Sequence, residues 1–84
     1  MTGDFMKIDK DDNKYIYVIV GKNLKRIRKS KGLTQVQLAD LVNYNEGTIA
    51  NIENNSYQTF SLEFIYIVSK MLKVPIEEFF KDID

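Results

Sequence analysis

Apolar positions recur at helical spacing through most of the chain, broken by residues that start and stop helices. From position 14 to about 31, a rotation of about 100° per residue puts Ile16, Tyr17, Val20, Leu24, Ile27 and Arg28 on one face, with Lys22, Lys25, Arg26 and Lys29 opposite. Asp12 or Asn13 can cap the start, and Gly32 supplies a C-terminal stop. Residues 15–20 are rich in β-branched and aromatic side chains, so a strand competes locally. The clear helical pattern from 20 to 31 decides for helix. Tyr15, Val18 and Ile19 then point away from the core and need a cover, from the N-terminal tail or another subunit.

Residues 33–53 predict two short helices joined by a tight turn. Thr34 stands at an N-cap position with Gln37 three residues on, the T-x-x-Q capping box that satisfies two orphan backbone donors. Leu33 can staple onto Leu38. The pattern repeats with Tyr44, Asn45 as cap, and Ile49 in the staple position. Leu38, Ala39, Val42, Ile49 and Ile52 turn one face of each helix toward a shared core. Asn43 takes the left-handed turn at modest cost. Two helices of this length and separation make a helix-turn-helix, at 34–54.

Residues 54–59 are turn-rich. Ser61 caps a fourth helix running to about 72, and Phe60 staples to Ile65. Leu62, Ile65, Tyr66, Ser69 and Leu72 form its expected core face. Phe64, Ile67 and Met71 form a second apolar stripe. Pro75 opens a fifth short helix, 76 to about 81, where Phe79 and Phe80 add apolar surface. A helix apolar nearly all round is buried on more than one side, and a small monomer has no second layer. The expectation is a homodimer built on 61–72 and 75–81, through Phe64, Ile67, Met71, Phe79 and Phe80. A repacked monomer with exposed aromatics is the plainer alternative. The fold class is all-α: a compact five-helix domain over 14–84, preceded by a short mobile tail over 1–13.

Composition narrows the chemistry. The 84 residues allow one small domain, and the core is thin unless the chain oligomerises. Cysteine and histidine are both absent, which removes disulfides, thiolate metal sites, the commonest zinc ligand and the commonest general base. No cofactor, no metal and no catalysis are expected. No apolar run approaches a membrane span and no signal peptide is visible, so a soluble cytoplasmic protein is the default. Net charge is zero, but positions 14–31 hold seven basic residues and no acid. Beside a helix-turn-helix, that one-sided field supports phosphate binding; its plain alternative is a solvated face.

Arg28, Gly32, Thr34-Gln35, Leu38-Ala39, Ile49 and Ile52-Glu53 resemble the signature of Cro/repressor-like DNA-binding domains, the Xre family of bacterial and phage regulators. The resemblance covers roughly residues 20–80. It implies a lambda-repressor-like fold, double-stranded DNA as partner, and a sequence-specific transcriptional regulator, repressor or autoregulator, on a palindromic operator as a homodimer. The overall size and the Asn54-Asn55-Ser56 run also resemble controllers of restriction-modification operons. The resemblance further implies a structural Arg28–Glu53 pair, worth on the order of 3 kcal/mol to break.

By the same resemblance the second helix of the motif enters the major groove, with Asn45, Glu46, Gly47, Thr48 and Asn51 at the base edges. Asn51 can bond bidentately to adenine, Thr48 can present its methyl to thymine, and Glu46 can accept from cytosine N4. Gly47 has no side chain to read with and costs about 1 kcal/mol of helix stability. It either admits a close backbone approach or is merely tolerated. Phosphate contacts fall to Gln35 with its helix N-terminus, and to Thr34, Arg28, Asn54, Tyr57 and Gln58. The motif's second helix departs from strong family members in carrying no Lys or Arg. The rival reading is an interaction module of the same fold, such as an antitoxin binding a second protein through its apolar stripe.

Overall fold

Residues 15–20, where strand competed with helix, open a long helix, α1 (Tyr15–Ser30). The computed structural model describes residues 11–54 and 58–82, and among them the other elements are α2 (Gln35–Val42), α3 (Glu46–Glu53), α4 (Leu62–Leu72) and a 3-10 turn at Ile76–Phe80. Most of the expected tail, and Asn55, Ser56 and Tyr57, lie outside the described residues. Local strand preference loses in α1 because the helix is packed along its length. It lies against α3 on one side and the C-terminal turn on another.

Gly21 sets the α1–α3 approach: a Cβ there would run into the carbonyl oxygen of Ile52. Glycine in mid-helix weakens the helix, and here the return is a backbone-to-backbone fit. Asn23, buried, donates from Nδ2 to the carbonyl oxygens of Phe79 and Lys81, each at 2.9 Å. Arg26 Nη2 donates to Asn23 Oδ1 at 3.2 Å and to Glu78 O at 3.1 Å. These bonds fasten the last turn to α1. Of the residues expected to point away from the core, Val18 and Ile19 are buried, Ile19 within the core cluster, and Tyr15 packs against it. Ile19 lies one turn before Asn23, on the face the C-terminal turn covers.

The local signals at 32–45 hold. Gly32 has φ +71°, and Leu33 N–H donates to Arg28 O at 3.2 Å, closing the end of α1. The capping box is complete: Gln37 N–H donates to Thr34 Oγ1 at 3.1 Å, and Thr34 N–H to Gln37 Oε1 at 2.9 Å. Asn43 has φ 61° and ends α2 in the left-handed region. Asn45 Oδ1 accepts from Thr48 N–H at 2.7 Å, and Ser61 Oγ from Phe64 N–H at 3.0 Å.

α4 is turned from the expected orientation by about 60° of helical rotation. Its buried arc is Phe64, Ile65, Val68, Ser69 and Leu72, while Leu62 and Tyr66 are exposed. On a helix apolar nearly all round, periodicity cannot choose a face. The aromatic ring contacts choose it: Tyr44 and Phe60 pack on Phe64, with centroids 4.7 and 5.8 Å away. Phe64 and Phe79, expected at a dimer interface, are fully buried in the protomer's own core. The expected fifth helix is a 3-10 turn. Five residues after Pro75 cannot sustain an α-helical ladder, and Glu78 N–H bonds Pro75 O at 3.0 Å.

Candidate nucleic-acid interface

α3 is fixed on one side and open on the other. Ile49, Ile52 and Glu53 face inward, at 0, 2 and 3 % exposure. Arg28 reaches Glu53 in a two-pronged bond, Nε to Oε2 at 2.6 Å and Nη2 to Oε1 at 2.8 Å. Its remaining prong, Nη1, donates to Leu33 O at 2.7 Å. A planar fork matched to a carboxylate gives direction as well as attraction. The hydrogen bond to Glu53 raises the Arg28 pKa, against the desolvation that lowers it, so the guanidinium stays charged. Gln35 Nε2 donates to the same Oε1 at 3.1 Å. One carboxylate therefore ties the end of α1, the start of α2 and the end of α3.

Gly47, Asn51 and Asn54 lie on the opposite side of α3 and are exposed; Asn45 and Glu46 at its start are exposed too, and Thr48 is half-buried. Four of the five residues expected to read bases thus cap α3 or lie in its first turn, and Asn51 lies in its second half. Of the expected phosphate residues, Arg28 and Gln35 bond Glu53, with Thr34 beside Gln35 and Asn54 beside Glu53 in the chain, while Gln58 lies beyond α3. Thr34 is exposed at the start of α2, its oxygen engaged in the capping box, with a hydroxyl proton still to donate. Gln35 is half-buried, its amide spent in part on Glu53, with a second N–H on the same nitrogen. Gln58 Nε2 donates to Thr59 O at 3.0 Å. Tyr57 lies outside the described residues. Arg28 is only 7 % exposed, and three of its five N–H groups are spent on Glu53 and Leu33, which turns it from the phosphate contact expected of it.

Two features that mount α3 escaped the sequence reading. The Gln35–Glu53 bond joins residues 18 apart and leaves no local trace. Gly21 did leave one, a helix-weakening residue in mid-helix with no turn to excuse it. Arg26, counted in the basic stretch, is held by Asn23 and by Glu78, whose carboxylate lies 4.0 Å away.

A polar outward face on a braced second helix, behind a capped first helix, defines a helix-turn-helix DNA-binding protein. The helix-turn-helix family model matches residues 24–79, and the chain belongs to that family, in its Cro/C1-type branch. It is a DNA-binding transcription regulator. Among solved structures it is similar to the restriction-modification controller protein C.AhdI from Aeromonas hydrophila, at 27% identity and a TM-score of 0.69, covering 75% of this chain and 94% of that one. It is also similar to a point mutant of the restriction-modification controller protein C.Esp1396I, at 30% identity and a TM-score of 0.71, covering 82% and 91%. No curated protein matches the chain. No helix among the described residues is long and apolar enough to cross a membrane.

Proposed function

We propose that the protein reads a palindromic operator as a homodimer, one α3 in each of two major-groove half-sites, and regulates its own or neighbouring genes in the manner of a controller. The observation that carries this is the division of α3: a brace of Ile49, Ile52 and Glu53 behind, and Asn45, Glu46, Gly47, Thr48 and Asn51 in front. Asn51 is the candidate for a two-bond contact to adenine, and Glu46 for cytosine N4. Gln35 and Thr34 contact the phosphates that flank the groove.

Dimensions support two protomers. Each carries one α3, and a longest Cα extent of 32 Å is of the size that sets two protomers on half-sites about 34–36 Å apart. α4 supports the homodimer as well. Its outward arc leaves Leu62 71 %, Tyr66 54 % and Met71 46 % exposed, with Ile67 half-buried between them. A cleft of about 160 Å³, lined by Ile16, Tyr17, Phe60, Leu62 and Phe80 among others, continues that apolar surface. Ile67, Met71 and Phe80 of the expected set stay in the proposed interface, joined by Leu62 and Tyr66. The two controller proteins similar to this chain support the regulatory role.

Selection of bound sequences from a random duplex pool tests the reading. The expected product is a two-fold symmetric consensus. On it, Gln35→Ala should weaken binding to every duplex, while Asn51→Ala should change preference at one base pair. Recovery of no consensus, or an asymmetric one, refutes the proposal.

A further inference from the structure

Three of the four glycines lie in the described residues, and two are explained within the protein. Gly21 has no room for a Cβ, and Gly32 sits at positive φ. Gly47 has neither reason. Its φ is not positive, it lies in the first turn of α3, and it is exposed. A Cβ built there meets, among the described residues, only Asn45 Oδ1, at the ordinary contact distance of 3.4 Å. Alanine would fit and would strengthen the helix. The described residues of the protomer give no reason for a bare position, and it lies on the side of α3 away from the brace of Ile49, Ile52 and Glu53.

We infer that Gly47 is a specificity-determining position that lets a thymine C5-methyl seat against the bare Cα of α3, a contact any side chain would block. This rests on the DNA-binding reading above. The chemistry selects the group. A glycine Cα is a small apolar surface with no side-chain donor or acceptor, so it suits the one apolar feature of the major-groove edge. The neighbours Glu46 and Asn51 carry the polar contacts, and Gly47 sets how near the helix comes to the base pairs.

The test uses the full chain and duplexes selected by the wild type from a random pool. Gly47→Ala should keep its fold and gain about 2–8 °C in melting midpoint. On the selected duplex it should bind about tenfold more weakly or worse. On a scrambled duplex of equal composition the change should stay within about twofold. Replacing the selected thymines one at a time by deoxyuridine should locate one position where wild type weakens and Gly47→Ala recovers to within about threefold of wild type. Gly47→Ser should repeat the loss. An alanine variant that binds the selected duplex like wild type overturns the inference and leaves the DNA-binding reading intact, as does one that melts lower. A loss that no deoxyuridine position rescues overturns the thymine assignment. A wild type that selects no sequence refutes both, and that arm is read first.

Discussion

Glu53→Gln isolates the tie on which α3 is mounted. The change keeps shape and volume, removes the charge, and turns one acceptor into an N–H facing guanidinium N–H. Glu53 is 3 % exposed and receives bonds from Arg28 at 2.6 and 2.8 Å and from Gln35 at 3.1 Å. Removing one partner of a buried pair leaves the other uncompensated and costs about 3–5 kcal/mol. A chain of this length has about 4–13 kcal/mol in all. The variant should therefore stand at the edge of folding, with a midpoint roughly 15–30 °C lower.

Urea and thermal melts by far-ultraviolet circular dichroism, at one protein concentration, measure this loss. The control is the pair Arg28→Met with Glu53→Leu, which removes both charges at similar volume. It should recover most of the loss, because an apolar pair owes no desolvation. It should fall short by about 1 kcal/mol, since Leu33 O loses its donor. Arg28 has its pKa raised in the folded state, so its contribution is complete below the ordinary arginine range and lost only as pH rises through the raised value. The gap between wild type and Glu53→Gln should thus stay level through the alkaline range in which lysines titrate. A Glu53→Gln loss below about 1 kcal/mol, or a double variant as poor as both singles summed, refutes the reasoning.

Gly21→Ala should destabilise by about 1–3 kcal/mol or more despite its better helix propensity, because the new methyl meets the backbone of Ile52; a melt equal to wild type counts against the close approach. Asn23→Ala should cost about 1–3 kcal/mol and speed hydrogen exchange across 76–80, and unchanged protection there would remove the clamp. Leu62→Lys with Tyr66→Lys should give a folded monomer in sedimentation; a persistent dimer rejects that face. Phe64→Ala should cost about 3–5 kcal/mol, with the loss seen in melts of the protomer itself.

What could be read from residues alone followed the range of the interaction. The caps at Thr34, Asn45 and Ser61 each bond a donor three residues on, so a short window contains both partners. Asn23 bonds Phe79, 56 residues away, and nothing near either residue announces it. Arg28 with Glu53, 25 apart, was legible only through the resemblance to a family. α4 was misjudged for a different reason. With Leu62, Phe64, Ile65, Tyr66 and Ile67 in near succession, several faces satisfy the same periodicity, and the Tyr44 and Phe60 rings decide among them. The outward residues of α3 were legible as a group because their inward neighbours are apolar at helical spacing.

Asn45 belongs to both halves of α3. Its side-chain oxygen holds the helix start through Thr48 N–H at 2.7 Å, while the residue itself stands at the mouth of the outward face. Glu46, exposed in the first turn, can be exchanged in the course of descent at little cost to the scaffold. At 45 the alphabet shrinks to the few short oxygen-bearing side chains that can still grip the helix, chiefly Asn, Asp, Ser and Thr. A lineage drifting toward new binding sequences would rewrite Glu46 before this letter and keep this one nearly fixed.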